Sequence, residues 1–409
     1  MTSATGRPKS RRFPAPLHVA GGTLRFPPLR LLVLLLPLLF QTSILLAQAS
    51  DDDSEYQSPW RLSYFPFISA GDNDGPLISI RARYWQPAEY EARQTYTAAV
   101  DGALGFTARG GRYAVVQFQG PQRWAGWRVQ GGALAERLVR FGYFGLGNDT
   151  EKDSDLLTDA NPFLYRVRRI RYRGEAEATR RIHGPLQVAL QGALEQVRFT
   201  TLPGPSLFQQ DFGEGIEETD ATARVALVYD TRDNEYNTRR GLLLEAGALA
   251  GSGNDGYSRI YSILRGYYPV REGTIVAARL AASGTGGTPT LNARYTLPGW
   301  ERGLTVLGGE WSQRAFDTGR FAGDGLLFGN LEVRHDLLPL GDLGAITLLG
   351  FIDAGRVFEG ESFRLTTDDL HVGGGGGVAV RVLRSTIFVF NFAGGGDEFN
   401  FTMSTSWMF

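Results

Sequence analysis

The stretch EFNFTMSTSWMF, residues 398–409, alternates between two kinds of side chain. Apolar and aromatic residues occupy one set of alternate positions, and small polar or acidic residues occupy most of the other set. The apolar set is Phe399, Phe401, Met403, Trp407 and Phe409. Because successive side chains of a β-strand point to opposite faces, this pattern predicts a strand with one apolar and one polar face.

The same period of two recurs through the chain. In LQVALQGAL, residues 186–194, leucine and valine alternate with glutamine and alanine. Aromatic residues crowd the ends of such segments, as in Tyr84-Trp85 and Tyr267-Tyr268. An apolar outer face with aromatic girdles and a polar inner face are typical of strands that cross an outer membrane, whereas the shorter strands of a soluble sandwich fit less well.

No segment after residue 49 holds 18 or more consecutive apolar residues, so the sequence predicts no membrane-spanning helix there. Strands that cross hydrocarbon must satisfy every backbone polar group, and a sheet does this by closing on itself. The predicted fold class is therefore all-β, a transmembrane antiparallel β-barrel. The alternative is a soluble β protein.

The candidate strands number about sixteen, an even number as expected of a bacterial barrel. They begin near residues 60, 76, 93, 111, 125, 162, 183, 222, 240, 257, 274, 326, 345, 371, 386 and 398. Short turns alternate with four long stretches at 139–161, 199–221, 285–325 and 356–370. This alternation places all four long loops at one end of the barrel, which we expect to face the cell exterior.

The first 49 residues differ from the rest of the chain. They carry basic residues and no acidic residue, then the apolar run Leu31–Phe40, then the small-x-small sequence Ala47-Gln48-Ala49. This order predicts a cleaved secretory signal peptide over 1–49, and Pro37 argues against the alternative of a membrane anchor. We then expect a short acidic periplasmic segment at 50–59, a barrel domain over 60–409, and a location in the outer membrane of a Gram-negative bacterium.

Composition excludes several functions. The chain has no cysteine, and its net charge of −1 argues against nucleic-acid binding. No histidine after the signal peptide has a recognisable nucleophile nearby, so we expect a protein that is not an enzyme. The glycine run at 373–377 is not followed by the Lys-Ser/Thr of a phosphate loop, and it indicates a bend or a place where something packs against the wall. No cofactor or metal is predicted.

The segment YDTRDNEYNTRRG, residues 229–241, joins two predicted strands. Its acidic residues have the wrong spacing for a calcium loop, and an arginine lies among them. Asp and Asn side chains favour turns, so we interpret the segment as a structural turn on the periplasmic side. The motif residues are Asp230, Arg232, Asp233 and Asn234.

Two carboxylates are predicted to lie in the lumen on neighbouring strands. Alternation directs Leu331 and Val333 outward and Glu332 inward, and the same argument directs Asp353 inward from the next strand. A carboxylate in a narrow lumen requires a cation and hydrogen bonds. Wall arginines such as Arg334 or Arg381 are one source of that cation.

The second half of the chain, about residues 220–409, resembles the bacterial surface antigen family. This family comprises the sixteen-stranded barrels of outer-membrane assembly factors and two-partner secretion transporters. The resemblance is carried by motifs in a fixed order. They are the turn at 230–234, Arg314-Ala315-Phe316 preceded by Gly308-Gly309, Asn-Leu-Glu-Val-Arg at 330–334, and Phe-Ile-Asp-Ala-Gly at 351–355. A final strand ending in Phe409 agrees, although many unrelated outer-membrane barrels end in this way.

The resemblance implies that the long loop before the twelfth strand folds back into the lumen. Its arginine, Arg314, would pair there with Asp353, so that Arg314 and Phe316 form a latch with Glu332 and Asp353. The family pattern has glycine where this chain has Ala315, and a positive φ at that position would require a remodelled tip. About ten residues separate the predicted cleavage site from the first strand, too few for the periplasmic domains of the family.

The function expected from this resemblance is insertion, assembly or translocation of proteins at the outer membrane without enzymatic chemistry. The expected partners are outer-membrane lipid and lipopolysaccharide, client outer-membrane or secreted proteins, and the barrel assembly machinery that inserts the chain itself. Nucleic acid is not expected as a partner. The alternative is a porin-like or structural surface barrel without an assembly role.

Overall fold

The computed structural model describes residues 58–69, 74–89, 92–159, 161–360, 366–382, 386–395 and 399–409. The predicted signal peptide, residues 1–49, lies outside the described residues, as does most of the acidic segment at 50–59. No helix in the described ranges is long and apolar enough to cross a membrane.

Sixteen strands form one antiparallel sheet in the order of the chain. They are β1 (Arg61–Ser69), β2 (Leu77–Pro87), β3 (Tyr96–Thr107), β4 (Arg112–Trp124), β5 (Trp127–Gly142), β6 (Arg166–His183), β7 (Leu186–Thr200), β8 (Gly215–Asp230), β9 (Gly241–Gly251), β10 (Tyr257–Arg271), β11 (Thr274–Gly287), β14 (Gly325–Pro339), β15 (Gly344–Phe358), β16 (His371–Val382), β17 (Thr386–Gly394) and β18 (Asn400–Ser404). A separate two-stranded sheet pairs β12 (Thr296–Leu297) with β13 (Leu304–Thr305).

Short helices occur only in connections within the described part of the chain. The α-helices are α1 (Leu207–Phe212) and α2 (Leu291–Arg294), and 3-10 turns lie at Ser154–Leu156 and Gly341–Leu343. Ser206 caps α1 and Thr290 caps α2, each through a side-chain oxygen that accepts from a backbone amide. The regular structure of the described residues is therefore almost entirely β.

The predicted fold class and strand number are confirmed. The predicted strand starts differ from the observed starts by at most four residues, with one exception. The strand expected near residue 222 is β8, which begins at Gly215. Near the start of β8, the outward residue Glu217 is ion-paired to Arg198 of β7. This part of the strand therefore lacks the apolar alternation on which the prediction relied.

The two faces of the sheet are inverted relative to a soluble protein. On β7, Leu190 and Leu194 are 59% and 66% exposed on the outer face. On the inner face, charged side chains are buried, and Arg224 of β8 forms an ion pair of 2.7 Å with Glu245 of β9. Apolar residues outside and hydrogen-bonded charges inside are what lipid contact and a polar lumen require.

Connections of different length lie at the two ends of the sheet. The long-loop end holds the connections at 143–165, 201–214, 288–324 and 359–370. The short-turn end holds those at 125–126, 184–185, 231–240 and 272–273. All four predicted long loops thus share one end.

The last strand is shorter than the alternation predicted. β18 ends at Ser404, and the following residues leave the sheet. Trp407, Met408 and Phe409 are 5–7% exposed and do not share the outer face with Phe399 and Phe401. The cause is tertiary, because buried arginines stack on the rings of Trp407 and Phe409.

The two end strands of the sheet, β1 and β18, are not joined by a ladder within the described residues. β1 instead approaches the end of β17 that β18 does not cover, since the ring of Phe65 on β1 lies 6.3 Å from that of Phe388 on β17. The sheet therefore curls into a barrel with an unpaired seam.

Candidate functional site: a plug in the lumen

The connection between β11 and β14, residues 288–324, folds into the barrel and is called the plug here. Its two limbs pair with each other, with reciprocal backbone hydrogen bonds of 3.0 and 3.1 Å between Leu307 and Phe321. Leu304, Val306 and Leu307 are at most 2% exposed and pack with apolar residues of the inner wall. Apolar burial and internal backbone pairing thus hold the connection inside the lumen rather than in solvent.

Arg314 lies at the centre of the plug's contact with the wall. Its Nε and Nη2 atoms donate to the two carboxylate oxygens of Asp353 at 2.9 and 2.8 Å, and its backbone amide donates to the same carboxylate at 3.1 Å. Its Nη1 atom donates to Glu332. The guanidinium carbon lies 3.4 Å from the ring centroid of Phe351. The structure therefore brings together Arg314, Asp353 and Glu332, and it fixes the arginine by a bidentate pair.

The two carboxylates have further partners. Asn330 donates to Asp353 at 2.7 Å, and Arg334 donates to Glu332 at 2.7 Å. Arg381, the other wall cation considered, instead contacts Asp336 at 3.3 Å. Two arginines thus face two carboxylates, which satisfies the buried charges.

The charge on Arg314 is secured by this environment. Burial disfavours a guanidinium cation, but Glu332 and Asp353 outweigh that effect and raise the pKa of Arg314 above its ordinary value. The plug therefore keeps its positive charge inside the lumen.

The tip around Ala315 packs against the glycine-rich strand β16. Asp369 is the non-glycine residue with a positive φ among those described, so Ala315 does not adopt the strained conformation considered from the sequence. A Cβ placed on Gly373 would lie 2.3 Å from the Cβ of Ala315. Phe316 is 5% exposed and packs edge-on against Phe321, with ring centroids 5.5 Å apart. The glycine at 373 thus admits the tip to the wall.

A second anchor of the plug was missed by the sequence analysis. The hairpin of β12 and β13 carries Trp300, which is 2% exposed. Its indole nitrogen donates to Thr179 at 2.9 Å and its backbone amide donates to Glu245 at 2.8 Å. Gln130 donates to its backbone oxygen at 2.7 Å. A tryptophan directly after Pro298 and Gly299 in the sequence LPGWER was the available signal, but a loop tryptophan alone does not indicate which strands it meets.

Glu301 adds an ionic contact to this second anchor. Its two carboxylate oxygens lie 2.6 Å from Arg232 and 2.6 Å from Arg265. Burial raises the pKa of Glu301, but the two guanidinium groups outweigh it and hold that pKa below its usual range. The plug is thereby tied to the turn motif that the sequence had singled out.

That turn, residues 231–240, crosses the short-turn end of the barrel and is called the strap here. Asp233 accepts backbone hydrogen bonds from Asn234 and from Arg239, at 2.9 and 3.0 Å, as expected for a turn held by its own side chains. Arg232 is 3% exposed and pairs with Asp230 at 3.0 Å as well as with Glu301.

The strap also contacts distant parts of the barrel. Glu235 pairs with Arg128 of β5 at 3.0 Å, and Asn237 accepts from the indole nitrogen of Trp407 at 3.1 Å. The strap therefore connects the wall, the plug and the segment after β18 at one end of the molecule.

The segment after β18, residues 405–409, occupies the lumen beside the plug's anchor. Arg334 donates to the backbone oxygen of Phe409 at 3.0 Å while it also holds Glu332. A continuous set of polar contacts thus runs from Asp353 through Arg314, Glu332 and Arg334 to Phe409. No group of three or more His, Cys, Asp or Glu side chains suited to a metal occurs among the described residues.

Comparison with known proteins shows which proteins this architecture is similar to. The family model of the Omp85 superfamily domain matches residues 141–407. The fold is similar to that of BamA from Haemophilus ducreyi lacking POTRA domains 1-3, with a TM-score of 0.53 and 13% identity over 84% of this chain and 70% of that one. It is also similar to CdiB from Escherichia coli, with a TM-score of 0.55 and 12% identity over 84% of this chain and 62% of that one, less than two thirds of its length. No curated protein sequence matches that of the chain.

Proposed function

The chain belongs to the Omp85 superfamily, and from this membership we propose that its barrel inserts or translocates polypeptides at the outer membrane without enzymatic chemistry. The chain is a β-barrel of the Gram-negative outer membrane. The observation that carries the proposal is the seam between β1 and β18, which lacks a ladder within the described residues while neighbouring strands elsewhere are continuously paired.

Two features of the end strands keep the seam weak. β18 offers only Asn400–Ser404 for pairing, because the next residues turn into the lumen. β1 contains Pro66, which has no N–H to donate. Since β1 and β2 pair through Pro66 and Ile80 without a register shift, the proline nitrogen faces the open edge.

An open strand edge offers unpaired backbone groups to another chain. Such an edge accepts an extended polypeptide by strand addition, with main-chain hydrogen bonds supplying affinity. β1 also carries two phenylalanines on its inner face, Phe65 and Phe67, of which Phe65 is 49% exposed, so an added strand has an apolar surface to contact there. We infer that a client polypeptide enters the membrane at this seam.

The plug supplies the resting state in this proposal. It fills the lumen and is anchored by Arg314 and by Trp300, so the barrel is closed to free diffusion in its resting form. Because Arg334 contacts both Glu332 and Phe409, displacement of the segment after β18 removes one partner of Arg334, the arginine that shares Glu332 with Arg314. Opening of the seam and loosening of the plug are thereby linked.

The proposal is tested by locking the seam. The chain has no cysteine, so F65C/F388C places one pair beside the seam, between β1 and the end of β17 that β18 leaves uncovered, where the native rings lie 6.3 Å apart. The matched control is L244C/L264C, two directly opposed outward residues on the laddered strands β9 and β10. In proteoliposomes given an unfolded outer-membrane barrel, cross-linking with a short bismaleimide should abolish assisted insertion for the seam pair and leave the control active.

Equal insertion by both cross-linked variants would contradict entry at the seam. Absence of assisted insertion by the unmodified protein and by the control alike would contradict the proposed function itself. Quenching of the reagent before cross-linking should leave the seam variant as active as the control, which separates the effect of the cross-link from that of the substitutions.

A further inference from the structure

Three arginines lie side by side on the outer wall at the long-loop end. Arg112 on β4 is directly opposite Arg137 on β5 in the strand register. Glu136 faces the lumen, where it pairs with Arg169 of β6 at 2.8 Å. Arg137 and Arg168 are the sequence neighbours of these inward residues, so alternation directs both to the outside. Arg112, Arg137 and Arg168 are called the arginine row here.

The arginine row lacks the carboxylates that accompany many other arginines of this barrel. In the described part of the chain, no ion pair or hydrogen bond joins its guanidinium groups to an acid, and the Nε atoms of Arg137 and Arg168 are buried without a partner. Asp74 lies close by, but its carboxylate accepts from the backbone amides of Val139 and Arg140 at 2.8 and 2.7 Å. Like charges directly opposite each other on neighbouring strands are destabilising, so the row favours a bound anion.

A neighbouring arginine on the same outer wall shows the contrast. Arg198 on β7 pairs with Glu217 on β8 at 2.5 Å. Arg198 is thus neutralised by a carboxylate of the next strand, whereas at the arginine row the described residues supply the cations alone.

The wall beside and below the arginine row is apolar. Phe106, which is directly opposite Arg112, is 62% exposed, and Leu104 and Tyr172 are 50% and 48% exposed. A ligand that satisfies the whole surface therefore carries an anionic head at the level of the arginines and hydrocarbon chains along the apolar strands. The guanidinium fork suits phosphate in particular, because it donates two parallel hydrogen bonds to phosphate oxygens.

We propose that Arg112, Arg137 and Arg168 form a binding site for the phosphorylated glucosamine head of lipopolysaccharide. The position supports this ligand, because the long-loop end of the barrel is the end expected at the outer leaflet. The acyl chains lie against Leu104, Phe106 and Tyr172, and the phosphates bridge the opposed arginines. The site is separate from the seam and the plug, so it stands independently of the proposed insertion role.

The site is tested with the purified barrel in detergent and hexa-acylated bisphosphoryl lipid A as the probe. The variant R112Q/R137Q/R168Q should bind it at least about tenfold more weakly, since each hydrogen bond to a charged group contributes more than a neutral one. The matched control is R180Q, an outward arginine of β6 at the short-turn end, where it stacks on Trp127. The control should bind lipid A as the unmodified protein does.

Binding experiments with different lipids identify the chemistry of the ligand. With the unmodified protein, dephosphorylated lipid A should bind weakly, and phosphatidylglycerol should compete poorly. Equal binding of bisphosphoryl lipid A to the triple variant and the parent would overturn the site. Equal binding of dephosphorylated lipid A, or full competition by phosphatidylglycerol, would overturn the choice of lipopolysaccharide. The comparisons between lipids use only the unmodified protein, so they test the proposal even if the triple variant fails to fold.

Discussion

Arg314 makes its strong contacts with carboxylates from two neighbouring wall strands. Asp353 holds its fork and backbone amide, while Glu332 takes the remaining nitrogen. A buried cation of this kind contributes little net stability when its partners are present, because desolvation offsets the attraction. Its removal is costly, since it leaves two buried carboxylates with insufficient positive charge.

At this scale the first prediction is that Arg314→Ala destabilises the plugged barrel by about 3–5 kcal/mol, the cost of breaking a buried ion pair. Urea unfolding in lipid vesicles, followed by tryptophan fluorescence, measures the free energy, and limited proteolysis reports release of the plug. Arg314→Lys keeps the positive charge without the two parallel hydrogen bonds of the guanidinium group. Its free energy of unfolding should lie between those of the unmodified protein and the alanine variant. Unchanged unfolding and unchanged proteolysis in the alanine variant would refute the latch.

Gly373 and Ala315 form a steric pair, which gives a second prediction. Gly373→Ala places a Cβ 2.3 Å from that of Ala315 and should cost about 1–3 kcal/mol through overpacking. The double variant Gly373→Ala/Ala315→Gly removes the facing methyl group and should recover most of that loss. Additive effects in this double-mutant cycle would show that the two residues do not contact each other.

At the scale of elements, the plug is held at two heights of the barrel. Arg314 fixes one limb near the wall strands β14 and β15, and the hairpin of β12 and β13 carries Trp300 to the inner wall and Glu301 to the strap. The strap is a short turn in sequence, yet it bridges Arg128, Glu301 and Trp407. An element that contacts the plug and the segment after β18 together is suited to transmit movement between them.

Glu301 gives a pH-dependent prediction for the second anchor. Its pKa is lowered in the folded state, so its stabilisation is present above the ordinary glutamate pKa and is lost as the pH falls toward the folded value. At neutral pH, Glu301→Gln should reduce the free energy of unfolding by about 1.5–3 kcal/mol. The difference between variant and parent should shrink as the pH is lowered below about 4.

The same unfolding assay, run between pH 3 and 8, checks this expectation. Glu310→Gln is a suitable control, because it removes a carboxylate from the plug without touching the strap contacts of Glu301. A difference between Glu301→Gln and the parent that stays constant over the whole range would exclude the ionic contribution of Glu301.

At the scale of the whole molecule, the barrel exposes apolar residues on its outer face and buries polar ones inside, the reverse of a soluble protein. Its own chain fills the polar interior. The inner wall buries arginines and carboxylates in pairs, and the plug occupies the space that a porin leaves open to water. The wall of the barrel does not depend on the plug, because β11 and β14, the strands on either side of it in sequence, pair directly with each other. The plug is therefore a separable part of the structure.

This separability predicts the conductance of the barrel. In planar bilayers the intact protein should show low conductance, and a variant in which a short Gly-Ser linker replaces residues 296–321 should form an open channel with a several-fold higher conductance. Heat-modifiable migration of the variant on gels checks that the barrel is retained. A large, stable and ion-selective channel from the intact protein would instead favour a porin-like barrel.

The period of two in the sequence determines much of the fold. Alternation at Leu190, Leu194 and their equivalents gave the strands and the outward face, because lipid contact imposes the same local pattern on each strand. The confirmed family resemblance then pointed to Arg314, Glu332 and Asp353, which the structure brings together. Local pattern failed at Gly215–Ala221 and after Ser404, where charge pairing and cation–π contacts replace apolar alternation.

The sequence by itself determined the class of fold, the number of strands, the side of the long loops and the inward direction of Glu332 and Asp353. Those properties depend on neighbours one or two residues apart, which the sequence displays directly. Only the tertiary structure decided that Trp300 meets strands β5, β6 and β9, that Glu301 reaches the strap, that Ala315 is admitted by Gly373, and that Phe409 turns inward to Arg334. Each of these joins residues from separate strands and connections, and closure of the sheet, rather than any local pattern, brings them into contact.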